Sequence, residues 1–169
     1  MKHILLTGLP RTGKTTLLKT IISKLDSCGG FYTEEILNED KKRMGFKIKT
    51  LDGKEGILAL KGISSKFKLG KYGINLKDLE EIALPSVKEA LKNKSIIVID
   101  EIGKMELFSE KFKNLVLEVL DSGKPLLGVI HKESIEFLNK IRKRKDVEVL
   151  EVNLNNHQDI LYKVFSLLK

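Results

Sequence analysis

Near the N-terminus, Gly8-Leu9-Pro10-Arg11-Thr12-Gly13-Lys14-Thr15 combine two glycines, a lysine and a hydroxyl at a spacing that suits a polyphosphate. They fit the pattern G-x-x-x-x-G-K-[ST], a phosphate-binding loop. Gly8 permits a sharp turn off a strand. Gly13 lets backbone N–H groups approach an oxyanion with no Cβ in the way. The loop from Gly8 through Thr15, with Leu9, Pro10, Arg11 and Thr12 as its inner residues, would wrap a β-phosphate with the N–H donors that all of them but Pro10 carry. The N-terminus of the helix that follows would add its positive dipole end. Lys14 would bridge the β- and γ-phosphate oxygens, the Thr15 hydroxyl would ligate Mg²⁺, and Thr16 would hydrogen-bond the α-phosphate. Arg11 sits inside the loop, where side chains often point away from the phosphates.

A second group of polar residues closes an apolar run, Ser95-Ile96-Ile97-Val98-Ile99-Asp100, and is followed directly by Glu101. A carboxylate at the end of such a strand is placed to hold Mg²⁺, directly or through water, so Asp100 joins Thr15 as a candidate metal ligand. Glu101 is placed to orient or deprotonate a water that attacks the γ-phosphate. A second acid beside the Mg²⁺ aspartate tilts the reading towards hydrolysis, with Lys14 as the other candidate catalytic residue. Asp100-Glu101-Ile102-Gly103 also spells D-x-x-G, a guanine-nucleotide switch element. The partner motif Asn-Lys-x-Asp is missing, since Asn93-Lys94-Ser95-Ile96 and Asn139-Lys140-Ile141-Arg142 both lack the Asp. Loose base selection is therefore expected. Gly103 and Lys104 complete the candidate nucleotide-binding set, and Glu106 could face the γ-phosphate or the water.

The elements that must position these groups are readable. Residues 2–7 form a buried strand, and 14–26 carry Leu17, Leu18, Ile21, Ile22 and Leu25 at helical intervals up to a stop at Gly29-Gly30. Residues 30–36 and 43–50 alternate around a polar turn, a hairpin signal, with further strands at 56–60 and 72–76. A helix over 78–92 bends at Pro85. Strands at 95–100, 125–130 and 147–152 then alternate with helices at 109–121, 133–143 and 156–168. That alternation implies right-handed βαβ units with helices on both faces of a mainly parallel sheet. The expected fold is α/β, with a β-hairpin insertion near residues 30–60.

The chain has 169 residues, 41% hydrophobic and 32% charged, with a formal net charge of +8. One domain spanning 1–169 suits this length. The composition excludes a disordered chain, a collagen-like repeat and a membrane protein, and no membrane partner is expected. The first residues are too short an apolar run for a secretory signal. Cys28 is the only cysteine, so an internal disulfide and a cysteine metal cage are excluded. A cytoplasmic monomer is expected. Nucleic acid is admitted by the charge but not favoured, because the basic residues are scattered and the aromatics amount to 6%.

The other polar residues have plainer readings. Glu34 and Glu35 read as structural or solvated. Arg142-Lys143-Arg144-Lys145 reads as a solvated helix end, with an arginine finger as the alternative. His131 reads as a cap on a strand end, and Cys28 as a small residue at a helix end.

The chain resembles the small P-loop nucleoside-triphosphatases of thermophilic bacteria and archaea, which have a human cancer-related relative. The resemblance runs nearly end to end. It covers the phosphate loop, Gly29-Gly30-Phe31-Tyr32-Thr33-Glu34-Glu35, Arg43-Met44-Gly45-Phe46, Lys71-Tyr72-Gly73, and the run from Ile97 through Asp100-Glu101-Ile102-Gly103-Lys104-Met105-Glu106 to Leu107. It implies a RecA- or kinase-like P-loop fold and Mg²⁺-dependent hydrolysis of ATP, GTP and other NTPs to NDP and phosphate. It also raises the standing of Lys104 and Glu106 as groups near the γ-phosphate. Two places depart from the family pattern. Leu37 stands where Arg is usual, and Asn155-Asn156-His157-Gln158-Asp159 replaces an Asn-Arg-Asp stretch. The rival readings are a nucleotide or small-molecule kinase, with 30–72 as an acceptor lid, and a nucleic-acid-binding module whose ATPase is regulatory.

Overall fold

The structure is a computed structural model and describes residues 1–169. β1 (His3–Thr7) leads through the phosphate loop into α1 (Lys14–Ile22). A strand-rich stretch follows: β2 (Cys28–Leu37), β3 (Arg43–Thr50), β4 (Glu55–Lys61), β5 (Lys68–Leu69) and β6 (Tyr72–Ile74). A helical turn α2 (Leu76–Asp78), a π turn (Leu79–Ala83) and α3 (Leu84–Asn93) lead to β7 (Ile96–Ile102). The chain then alternates through α4 (Glu110–Asp121), β8 (Leu126–Ile130), α5 (Glu136–Arg142), β9 (Val147–Glu151) and α6 (His157–Leu168). No helix is long and apolar enough to cross a membrane.

All nine strands join one sheet in the order β5-β6-β4-β3-β2-β7-β8-β1-β9. The run from β2 to β9 is parallel. β8 thus lies between β1, which delivers the phosphate loop, and β7, which delivers the carboxylates. Leu5, Ile97 and Ile99 face one core with residues of α3, α4 and α5. Ile4, Leu6 and Val98 face the other with α1 and α6. The period-two alternation of these apolar strands is what fills both faces of a parallel sheet.

The strand-rich stretch is not a separate insertion. Cys28–Phe31 of β2 pair in parallel with Ile96–Ile99 of β7, while Phe31–Leu37 pair antiparallel with β3. One long strand therefore belongs to both halves of the sheet, and β3 to β6 extend the parallel core sideways. Gly29-Gly30 lies inside β2 and does not stop a helix. A Cβ on Gly30 would lie 2.0 Å from the Val98 carbonyl oxygen, and one on Gly29 would lie 2.8 Å from Ala90 Cβ. The pair lets β2 press against β7 and α3. Cys28 is accordingly a strand residue, and burial pushes its thiol pKa up.

α1 ends at Ile22, short of the expected residue 26. The Lys24 and Leu25 N–H groups bond the carbonyls of Ile21 and Ile22, a tightened last turn. Leu25 still packs on the α1–α6 core, so its apolar spacing outlives the helix. The bend at Pro85 takes the form of the π turn just before it. Pro85 cannot donate to the turn below, and the widened turn absorbs the lost bond.

His3 opens β1 fully buried. Its Nδ1 accepts from the Leu126 N–H at 3.0 Å, and Nε2 donates to the Leu120 carbonyl at 3.0 Å. Both ring nitrogens of the neutral imidazole are satisfied, tying β1 to the start of β8 and the end of α4.

Candidate active site

The phosphate loop leaves β1 at Thr7, whose carbonyl accepts from the Val152 N–H at 2.7 Å. Gly8 has φ +147°, and a Cβ there would meet the Val152 carbonyl oxygen at 2.4 Å. Gly13, at φ +83°, opens α1; a Cβ on it would strike the His157 ring at 2.6 Å. Both glycines of the motif are thus required by close packing as well as by the turn. His157, the first residue of α6, is 2.6 Å from the Thr12 carbonyl through Nε2 and braces the loop from outside. The stretch that departs from the family pattern therefore touches the phosphate loop itself.

Lys14 Nζ donates to the carbonyls of Gly8 at 3.0 Å and Leu9 at 2.7 Å. Burial draws its pKa down, while the charges of Glu101 and Asp100 support the ammonium. The Thr15 hydroxyl donates to Asp100 Oδ2 at 2.7 Å. This contact joins the start of α1 to the end of β7 across β8.

Asp100 is 2% exposed, and its pKa is pushed up to about 7, first by burial and then by the charge of Glu101. The Thr15 hydrogen bond and Lys14 act in the opposite direction. Glu101, half-buried at the cleft wall, is raised by burial against the pull of His131 and Lys14. Glu106, 2% exposed on the turn after β7, is raised well above its ordinary value by burial and by repulsion from Glu101 and Asp100. Three carboxyl groups therefore share a poorly solvated corner, and Lys14 is a cation that Asp100 and Glu101 have in common. A Cβ on Gly103 would come within 2.9 Å of the Glu101 side chain, so glycine makes room for that carboxylate.

The residues fit a divalent cation. Thr15 and Asp100 bring a hydroxyl and a carboxylate oxygen together, and the buried negative charge around them is what such an ion would offset. No group of three or more His, Cys, Asp or Glu side chains forms a complete cage. That suits Mg²⁺, which is usually held by one or two protein oxygens together with substrate phosphates.

These groups open on a cleft of about 540 Å³. Gly8, Leu9, Pro10, Arg11, Gly13, Lys14, Thr15, Thr16, Asp100, Glu101, Lys104 and Glu106 line it, whereas Thr12 and Gly103 stand behind the wall. The Lys104 ammonium is paired with Glu133. Arg11 lines the cleft with φ +62°, the left-handed region. His131 lies in the wall, next to Glu101 in charge, and is more than a strand cap. Arg142 clips the loop after β8 by bonding the carbonyls of His131 and Glu133, and Arg144 pairs with Asp146 and Asp121. Neither lines the cleft, so no arginine finger comes from that run. Glu34 pairs with Lys19 at 2.8 Å and Glu35 with Arg43, and both also line the cleft. Leu37 is exposed at the tip of β2, outside the cleft.

The cleft also includes Thr33, Arg43, Phe46, Leu58, Leu69 and Met105, which no motif picks out. They gather there because β2 runs on past the end of β7 and carries the antiparallel strands with it. The signals in the sequence were the family blocks, which hold Thr33, Arg43, Phe46 and Met105 but not Leu58 or Leu69.

With this geometry in place, the comparisons with known proteins agree with one another. The family model described as NTPase matches residues 3–165. A nucleoside-triphosphatase THEP1 of a Thermotoga species is 51% identical over 98% of this chain and 95% of its own length. The crystal structure of THEP1 from Aquifex aeolicus superposes with a TM-score of 0.89 at 38% identity, covering 100% of this chain and 99% of that one. The solution structure of a human cancer-related nucleoside triphosphatase gives 0.81 at 33% identity, covering 100% and 98%.

Proposed function

Because this chain belongs to the nucleoside-triphosphatase family and is a hydrolase, we propose that its cleft cleaves the β–γ anhydride of Mg²⁺-bound nucleoside triphosphates, giving NDP and phosphate with little regard for the base. The observation that carries this is the Thr15–Asp100 contact of 2.7 Å with Glu101 beside it. It brings the phosphate loop and the second carboxylate strand to one point.

The backbone N–H groups of residues 8–15 hold the β-phosphate, and Lys14 leaves its loop carbonyls to meet the β- and γ-oxygens. Thr15 and Asp100 would hold Mg²⁺, which, when bound, supplies charge neutralisation at the β- and γ-phosphates. Glu101 accepts a hydrogen bond from the attacking water and takes its proton as the water oxygen bonds to phosphorus. Electrostatic stabilisation and alignment by fixed groups supply most of the acceleration. Base tolerance follows from the missing Asn-Lys-x-Asp motif. On the β9 side, the side chains of Asn153 and Asn156 are engaged by backbone N–H groups of their own loop. We take the protein to act as a cytoplasmic monomer.

The test is phosphate release from ATP, GTP, CTP and UTP, with Mg²⁺ and with the metal chelated. All four are expected to be cleaved, and only with the metal. Cleavage of one base alone, or cleavage without a divalent cation, would contradict the reading.

A further inference from the structure

The cleft does not end at the carboxylates. β7 lies between β8-β1-β9 on one side and the β2–β6 extension on the other. A triphosphate held by the loop after β1 and reaching Asp100 and Glu101 runs from β1 towards β7. Its γ-phosphate then faces the extension, with the β–γ bridging oxygen behind it. In phosphoryl transfer the attacking and leaving oxygens lie roughly in line. The attacker therefore arrives from the β2–β6 side.

On that side the cleft, about 540 Å³ in all, gathers apolar side chains and has room for more than a single water. Phe46, Leu58, Leu69 and Met105 wall it, and Glu35 and Arg43 stand among them. Phe46 also stacks at a tilt on Tyr72, with ring centroids 5.7 Å apart. The Arg43 guanidinium lies 5.1 Å from the Phe46 ring centroid and is paired through one nitrogen with Glu35. Its Nε is buried and has no hydrogen-bond partner. An unpaired buried donor is costly and uncommon in folded proteins, so it marks a place for an acceptor. Apolar walls, a donor at Arg43 Nε and an acceptor at the Glu35 carboxylate match a flat heteroaromatic ring that carries both a carbonyl and an N–H.

We propose that this chamber is a phosphoryl-acceptor site for a nucleoside, whose base lies between Phe46 and Met105 and whose ribose hydroxyl points to the γ-phosphate. The proposal rests on the nucleoside-triphosphatase reading and deepens it. The hydroxyl oxygen bonds to the γ-phosphorus as the bond from that phosphorus to the β–γ bridging oxygen breaks. NDP leaves with the electron pair, and the hydroxyl proton passes to the Glu101 carboxylate. Water takes the same position when no nucleoside is bound, and the outcome is then hydrolysis.

The experiment uses the whole chain with Mg²⁺ and ATP labelled at the γ-phosphate, with adenosine, guanosine, cytidine or uridine added in turn. Label is expected in the monophosphate of at least one nucleoside, with phosphate release falling as transfer rises. Arg43→Gln is expected to raise the half-saturating nucleoside concentration about tenfold, the size of one lost hydrogen bond. Phe46→Ala is expected to do so as well, and both variants keep the wild-type half-saturation by ATP. If all four nucleosides stay unlabelled while phosphate is still released, the acceptor assignment is overturned and the hydrolase reading stands. A saturable change in phosphate release without labelled product overturns it equally. Failure to release phosphate without nucleoside overturns the hydrolase reading instead.

Discussion

Two buried polar regions sit at opposite ends of the same parallel sheet, and they are built on opposite principles. At the N-terminal end of β1, His3 is fully buried with both ring nitrogens bonded to backbone groups at 3.0 Å. At the C-terminal end of β7, Asp100 and Glu106 are each 2% exposed beside Glu101, and all three carry raised pKa values because burial opposes their charge, with repulsion from neighbouring carboxylates adding to it at Asp100 and Glu106. The first region is polar and complete, and it holds elements together. The second has negative charge in excess of its partners and is completed only by what it binds. Burial alone does not distinguish structure from function. The balance of donors, acceptors and charges does.

The largest expected effect breaks the incomplete end. Lys14→Ala removes the cation shared by Asp100 and Glu101 and the donor to the β- and γ-oxygens. Phosphate release should fall about 100- to 1,000-fold in kcat, measured in steady state. The fold should persist, because the lysine bonds only loop carbonyls.

Next in size is the complete end. His3→Ala strands the buried Leu126 N–H and the Leu120 carbonyl. The expected loss is about 3 kcal/mol of unfolding free energy, read by chemical denaturation. Turnover should be unchanged under conditions where the variant is folded. Loss of turnover in the folded variant would erase the contrast between the two ends.

Asp100→Asn should do the reverse, removing activity while raising the stability of the nucleotide-free protein. The native Asp100 pKa of about 7 lies above its ordinary value of 3.8, so between those values the folded state binds more protons than the unfolded one. This contribution to stability is complete below about pH 4 and is lost as pH rises through 7. The variant should therefore gain about 2 kcal/mol over wild type at pH 8, part of the differential that such a shift implies. The gain should shrink as the pH is lowered.

The smallest effect is the pH response of His3. Burial draws its pKa below 6.5, against the support of Asp146. A depressed histidine binds fewer protons folded than unfolded, so its contribution is complete above pH 6.5 and is lost as pH falls through the native value. His3→Gln should flatten that part of the stability profile. A slope that survives the substitution would assign the acid sensitivity elsewhere.

How much of this was legible in the sequence follows the range of the interactions. The phosphate loop could be read because its chemistry lies in consecutive residues, and Asp100-Glu101 because two adjacent carboxylates follow a run of apolar strand residues, although β7 itself runs on to Ile102. Gly29-Gly30 was misread as a helix stop because the reason for glycine there is a contact with Val98 and Ala90, far away in sequence. The hairpin of β2 and β3 was legible, but the parallel pairing of β2 with β7 was not, because it leaves no local mark. Arg43, Phe46, Leu58 and Leu69 reach the cleft only because that strand is shared between the two halves of the sheet. His3 and His157 look alike as lone histidines. Their different partners, a strand edge and the phosphate loop, are set by the tertiary fold.

The most direct test of the central claim, that the excess carboxylate beside Asp100 positions and activates the attacking water, is single-turnover phosphate release by Glu101→Gln with Mg²⁺-ATP, together with the affinity for ATP. The account predicts binding within a few-fold of wild type and release slowed about 100-fold or more. Wild-type release from a variant that still binds ATP would contradict it.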